Sequence, residues 1–218
     1  IPSFTTTNPT GSTISGTIIV TPSANGCTGS ATTFTITVNP STSVTSSASA
    51  TICSGGTINI PLTSPVSSTF TWIANDNPNT TGESTTLQNT STINNTIINN
   101  SISIQTITYT VTPTAAVGGC VGDSQLVVVT INPFPNITST SADTLCSGGA
   151  LNIALTSDTP PSTFTWVAAN NPNITGESTT TQTTSTINDV LTNISGTPQT
   201  VLYSVTPTAT VGGCEGNI

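Results

Sequence analysis

The sequence predicts an all-β protein built from tandem β-sandwich modules. Three observations carry that expectation. A block of about 93 residues repeats along the chain. Within each block, short runs alternate apolar and polar residues, as strands with one buried face do. The chain is also rich in Thr, Ser and Asn, which suit strands and turns better than helices.

The repeat is anchored by Thr69-Phe70-Thr71-Trp72, which returns unchanged as Thr163-Phe164-Thr165-Trp166 and contains the only two tryptophans. Cys-Ser-Gly-Gly lies upstream of each (Cys53 to Gly56, Cys146 to Gly149). Thr-Gly-Glu-Ser-Thr-Thr follows (Thr81 to Thr86, Thr175 to Thr180), and Val-Gly-Gly-Cys closes the pattern at Cys120 and Cys214. Trp72 precedes Cys120 by 48 residues (120 − 72), and Trp166 precedes Cys214 by the same 48 (214 − 166). The chain therefore divides into the C-terminal part of a variant module (1–40), a complete module (41–133) and a module lacking its last strand (134–218).

Taken in order, Thr17 to Pro22, Gly26-Cys27-Thr28-Gly29 and Thr33 to Pro40 match the closing part of the complete module, while Ile1-Pro2-Ser3-Phe4 has no later counterpart. In the complete module, Thr57 to Leu62 and Thr69 to Trp72 alternate, and Gln105 to Val111 places Ile107, Tyr109 and Val111 on one face. Thr92 to Ile98 supplies a weaker strand. Leu126 to Ile131 is a nearly continuous apolar run, which predicts a strand covered on both faces or packed at a module junction. Asn-Pro, Gly-Gly and Asn-Asn pairs punctuate the connections. Pro61 belongs on an edge strand, where a missing N–H costs nothing. The linkers at Asn39-Pro40 and Asn132-Pro133-Phe134-Pro135 are short and stiffened by proline. About seven short strands per module, with a tryptophan on an early one, predict an immunoglobulin-like sandwich with Trp72, Trp166, Tyr109 and Tyr203 in the cores.

Composition excludes several functions. There is no Lys, Arg or His, against eight acidic residues and a net charge of −8. With no cation to meet a phosphate, nucleic-acid binding is excluded. No apolar run reaches the roughly 20 residues needed to span a bilayer, so membrane insertion is not expected. A Ser or Cys nucleophile would lack an ordinary base. The acids recur singly, so a glycosidase-type carboxylate pair is not expected either. The chain reads as a non-enzyme.

Five cysteines without histidine and without a C-x-x-C spacing argue against zinc. Cys53 and Cys120 stand 67 residues apart (120 − 53), and Cys146 and Cys214 stand 68 apart (214 − 146). The simplest expectation is one disulfide inside each module, with Cys27 bonded to a partner outside the chain. Such bonds place the protein in an oxidising, extracytoplasmic setting. Calcium is the one cofactor the acids suggest. Asn75-Asp76-Asn77 with Glu83 offers oxygen ligands on a loop, although Asp76 becomes Asn170 in the next copy and the same residues also make a polar Asx turn.

Cys-Ser-Gly-Gly, Phe-Thr-Trp, Thr-Gly-Glu-Ser, Tyr-Thr-Val-Thr-Pro-Thr, Gly-Gly-Cys-x-Gly and Val-Thr-Ile-Asn-Pro together resemble the PKD-like, immunoglobulin-like repeats of giant Bacteroidota surface adhesins. The nearest likeness is to the SprB-like mobile adhesins of gliding flavobacteria, which are exported by type IX secretion. That resemblance implies an extracellular, cell-surface filament used for attachment or gliding motility. Its partners would be neighbouring modules of the same polypeptide and surface polysaccharide or other surfaces. It also makes Thr144, in Asp143-Thr144-Leu145, a candidate O-glycosylation acceptor. Two alternatives stay open: an accessory glycan-binding sandwich of a secreted polysaccharide-degrading enzyme, and a filament subunit that assembles by strand donation, with the strand after Ile218 coming from another chain.

Overall fold

A computed structural model of the chain describes residues 3–159 and 161–217. The opening Ile1-Pro2 and the strand expected after Ile218 lie outside the described residues. The protein is all-β. The first unit contains β1 (Ile14–Val20), β2 (Ser23–Ala24), β3 (Cys27–Thr28) and β4 (Thr32–Val38). The complete module contains β5 (Ser49–Cys53), β6 (Gly56–Thr57), β7 (Ile60–Pro61), β8 (Ser68–Ala74), β9 (Thr80–Thr81), β10 (Thr92–Ile93), β11 (Thr96–Asn99), β12 (Gln105–Ala115) and β13 (Gln125–Asn132). The third unit follows with β14 (Gly149–Ala150), β15 (Ile153–Ala154), β16 (Ser162–Ala168), β17 (Ile174–Thr175), β18 (Thr186–Ile187), β19 (Val190–Asn193) and β20 (Tyr203–Ala209).

In the complete module one sheet runs β5-β13-β12-β8. The short strands form the other layer, as β6-β11-β9 and β7-β10. Alternation explains which residues meet between the layers. On β12 the odd positions Ile107, Tyr109 and Val111 turn inward, and on β8 Phe70 and Trp72 do the same. They pack against Ile58, Ile60, Ile93 and Ile97 from the facing layer. Pro61 pairs only with Thr92, at a sheet edge, and the weak strand is broken by Asn94-Asn95 into β10 and β11. Trp72 and Tyr109 meet edge to face, with ring centroids 5.7 Å apart. Both polar tips find partners: Trp72 Nε1–H donates to the Thr90 carbonyl at 3.2 Å, and the Tyr109 hydroxyl donates to Asn95 Oδ1 at 3.0 Å.

The expectation for Leu126 to Ile131 is corrected. Val127, Val129 and Ile131 are buried, but Leu126 is 58% and Val128 39% exposed. The run is apolar on both faces, yet only one face has a sheet over it. Burial on both sides begins at its end, where Ile131, Asn132 and Pro133 enter the module junction.

The third unit repeats the pattern. β16 pairs with β20 and places Trp166 opposite Val205, as β8 and β12 place Trp72 opposite Val111. Trp166 is buried, and Tyr203 is partly buried against it at 5.8 Å. Residues 142–146 form no strand, whereas their counterparts form β5 by pairing in parallel with β13. The first unit is closer to the others than its sequence suggests. Asn8 Nδ2 donates to the Ser12 and Val38 carbonyls, each at 2.8 Å, just as Asn99 Nδ2 donates to Ser103 and Ile131.

Burial of the Tyr109 phenol, reinforced by the nearby Glu83 carboxylate, pushes its pKa well above the ordinary 10.0. Burial does the same for Tyr203, with help from Asp189 and Glu177. The neutral phenol is therefore the form the fold stabilises. That stability is fully present below the unfolded value of 10.0 and is lost as pH rises toward the folded value. In an alkaline spectrophotometric titration, native protein is expected to ionise its two tyrosines only at markedly higher pH than guanidinium-unfolded protein. Coincident curves would show that the phenols are not held in the core.

Candidate functional site

The most constructed place in the molecule is the junction between the second and third units. Cys53 ends β5, level with Asn132 at the end of β13, because the two strands pair in parallel with Asn132 opposite Cys53. The turn after Cys53 is pinned from two directions. Ser54 N–H donates to the Asn132 carbonyl at 2.8 Å, and Asn99 N–H donates to Ser54 Oγ at 2.9 Å. Asn99 Nδ2 reaches the Ile131 carbonyl at 3.1 Å, so one buried amide ties the far layer to the last strand.

The third unit contributes the turn 210–216. Gly212 and Gly213 hold φ of 83° and 65°, the left-handed region that glycine enters without steric cost. The turn is closed by Ala209 N–H to the Cys214 carbonyl at 2.9 Å and Gly216 N–H to the Pro207 carbonyl at 2.8 Å. A Cβ at Gly212 would collide with the Asn132 side chain, and one at Gly216 with the Pro135 carbonyl. The turn therefore lies directly on the linker 132–135. That contact brings Cys214 to Cys53, and they form a disulfide with Cα atoms 5.7 Å apart.

This overturns the expectation of one bond inside each module. Cys53–Cys120 and Cys146–Cys214 do not form, and Cys27, Cys120 and Cys146 are not disulfide-bonded to one another or to any other described residue. The reason is the register. Cys53 lies at the C-terminal end of β13, whereas Cys120 precedes the N-terminal end of the same strand. At ~3.4 Å per residue, β13 alone separates them by roughly 24 Å, against a limit of about 7 Å between bonded Cα atoms. Cys146 and Cys214 occupy the corresponding opposite ends of the third unit. Cys27 lies in a tight hairpin in which β2 and β3 pair Ala24 with Cys27 across Asn25-Gly26, closed by Gly29 N–H to the Pro22 carbonyl at 2.8 Å as Gly216 closes on Pro207.

The remaining candidates serve the frame. Glu83 Oε1 accepts from Asn77 N–H at 3.3 Å and the Thr80 hydroxyl at 2.6 Å, while Asn77 Nδ2 donates to the Thr106 carbonyl at 3.1 Å. Glu177 and Asn171 repeat the arrangement except for the hydroxyl bond, because Ile174 stands in place of Thr80. The recurring glutamate thus holds the loop after the tryptophan strand in shape, and the asparagine side chain ties that loop to the start of the next long strand. Glu83 Oε2 is buried without a hydrogen-bond partner, and Asp76 is exposed outside this network. Among the described residues no three His, Cys, Asp or Glu side chains gather where they could hold a metal. Thr144 is exposed, its N–H donating to Asp143 Oδ1 at 2.7 Å.

Asp189 escaped the sequence reading. It is buried and accepts from the Tyr203 hydroxyl at 2.8 Å, Ser178 N–H at 2.8 Å and Ser178 Oγ at 2.7 Å. Its counterpart Asn95 likewise accepts from the Tyr109 hydroxyl and Ser84 N–H, but donates through Nδ2 to Ser84 Oγ. The signal was available as the swap Asn94-Asn95 to Asn188-Asp189 at a fixed repeat position.

The family model for the PKD-like domain matches residues 50–135 and again residues 143–218. The chain belongs to the PKD-like domain family. No curated protein matches it. PKD-like modules are structural and typically extracellular, which fits the disulfide, and among the described residues no helix is long and apolar enough to cross a membrane. Residues 3–40 lie outside the family match but keep the β1–β4 hairpin and the Asn8 anchor of the PKD-like modules.

Closing a loop with a sequence separation of 161 stabilises the oxidised protein by up to about 5 kcal/mol in the chain-entropy model. Cys53→Ser and Cys214→Ser are each expected to lower the guanidinium unfolding midpoint by the same amount. The double variant should lose no more than either single one, since both remove one bond. Additive losses would mean that the two cysteines do not act as a pair.

Proposed function

We propose that these PKD-like modules are a stalk: a structural and adhesive segment of a long, acidic cell-surface filament that serves surface attachment or gliding motility. The observation that carries the reading is the junction. A glycine turn of one module lies on the proline linker before it and is fastened to the preceding module by Cys53–Cys214. Flexible tethering of independent domains needs no such construction, whereas a stalk that must keep its direction does. Each sandwich would add roughly 35–45 Å of length at ~3.4 Å per strand residue. Weak contacts with surface polysaccharide repeated along such an array would act through multivalency. The tryptophans and tyrosines that a glycan-gripping accessory module would present face the cores here: Trp72, Trp166 and Tyr109 are buried and Tyr203 is partly buried.

Immunogold electron microscopy of intact cells, with an antibody against residues 41–133, tests the reading. Gold spread along thin filaments away from the outer membrane is the expected result. Gold confined to the membrane, or antigen found only in the medium beside polysaccharide-degrading activity, would replace the stalk with the accessory module of a secreted enzyme.

A further inference from the structure

We propose that Cys53–Cys214 is one rung of a continuous ladder of inter-module disulfides. In this ladder Cys146 bonds the Gly-Gly-Cys turn of the PKD-like module that follows it. Cys120 bonds the Cys-Ser-Gly-Gly turn of a preceding one.

Two independent observations converge on this pairing. The first is equivalence within the repeat: Cys146 is the counterpart of Cys53 and Cys120 the counterpart of Cys214, in turns built by the same hydrogen bonds. Ala115 N–H donates to the Cys120 carbonyl at 2.9 Å, as Ala209 does to Cys214, and Gly122 N–H donates to the Pro113 carbonyl as Gly216 does to Pro207. Asn193 N–H donates to Ser147 Oγ at 3.0 Å beside Cys146, as Asn99 does to Ser54 beside Cys53. The second is that the docking surface itself is duplicated. A Cβ at Gly118 would collide with the Asn39 side chain and one at Gly122 with the Thr42 carbonyl, matching Gly212 on Asn132 and Gly216 on Pro135. The turn carrying Cys120 is therefore already seated on the first junction as the turn carrying Cys214 is seated on the second. Asn8 stands where Asn99 does, 46 residues after Cys53 (99 − 53). The ladder thus places the partner of Cys120 about 46 residues ahead of Asn8, and the partner of Cys146 about 161 residues after it.

Each rung forms when two thiols release two protons and two electrons to the disulfide of a thiol oxidoreductase, which leaves as a dithiol. The loops interlock, because Cys146 lies within the loop closed by Cys53 and Cys214. A pull entering ahead of Cys53 and leaving beyond Cys214 passes through the sulfur bridge. The 161-residue separation between them, worth roughly 550 Å of extended chain, stays slack. The ladder makes the array inextensible under oxidising conditions and extensible once reduced.

The test uses the full-length parent protein isolated without reductant, with thiols alkylated at acid pH. Digestion is by pepsin, since this stretch has no Lys or Arg for trypsin. Mass spectrometry should find Cys120 and Cys146 each in a disulfide-linked peptide whose other half comes from a different module. Alkylated Cys120 and Cys146, or Cys53–Cys120 and Cys146–Cys214 peptides, would overturn the ladder. Single-molecule stretching of the same protein gives a second readout. Module-length extension steps should appear only after reductant is added, and steps in the oxidised chain would overturn the proposal. Both assays read pairing and not location, so the ladder and the surface-stalk reading can fail separately.

Discussion

The contact on which the arrangement rests is bare glycine backbone lying on the linker, against the Asn132 side chain and the Pro135 carbonyl. The turn 210–216 can lie on Asn132 to Pro135 only because Gly212 and Gly216 present no side chain there. Any Cβ would lift the turn off the linker, and Cys214 would leave bonding reach of Cys53. The disulfide is thus a consequence of the docking and not its cause. Proline on the linker side complements glycine on the turn side. It fixes the path over which the turn must fit, and its missing N–H needs no partner within the contact. The same pair of glycines, at 118 and 122, faces Asn39 and Thr42 at the first junction. The geometry is therefore a property of the repeat unit.

Absence of cations shapes the interior in a second way. Buried carboxylates and amides have no Lys or Arg to meet them, so the partners they do find are hydroxyls, amides and backbone groups, and Glu83 Oε2 finds none. The exchange of Asn95 for Asp189 shows how this tolerates substitution. Asn95 Nδ2 donates to Ser84 Oγ at 2.8 Å, whereas Asp189 Oδ1 accepts from Ser178 Oγ at 2.7 Å. The serine hydroxyl donates or accepts as required, and the tyrosine hydroxyl above it donates in both modules. A network whose hydroxyls can turn either way can exchange amide for carboxylate while keeping its bonds.

Alternation and repetition made the sandwich and its core legible in the sequence. Phe70, Trp72, Ile107, Tyr109 and Val111 follow from a two-residue period, because one face of each strand must leave water. What pattern could not supply was register between distant strands. Periodicity says that Cys53 and Asn132 lie on strands. It does not say that those strands run parallel with these two residues side by side. Without that fact, a spacing of 67 residues looked like a bond inside the module. The run Leu126 to Ile131 misled for a related reason. Apolar residues on both faces record what each side chain is, and only the layer order decides which face is covered. Asn8 was illegible because its match to Asn99 lies in hydrogen bonds to carbonyls, which any backbone offers.

A bond between modules has a different physical consequence from a bond within one. An intramodular disulfide would raise the stability of each sandwich and leave the linker to set the angle between neighbours. A proline-stiffened linker alone is semi-rigid. The observed bond adds a second covalent connection across the same junction, displaced from the first by the width between Cys53 and the linker. Two connections resist bending and twisting together, where one resists neither fully. The sandwich cores, already held by Trp72 with Tyr109 and Trp166 with Tyr203, supply the stability of the individual modules. The cysteines are thereby released from that task and serve the joint. Their placement in turns at the module ends, away from the space between the two sheets where an immunoglobulin bridge would sit, follows from that division of labour.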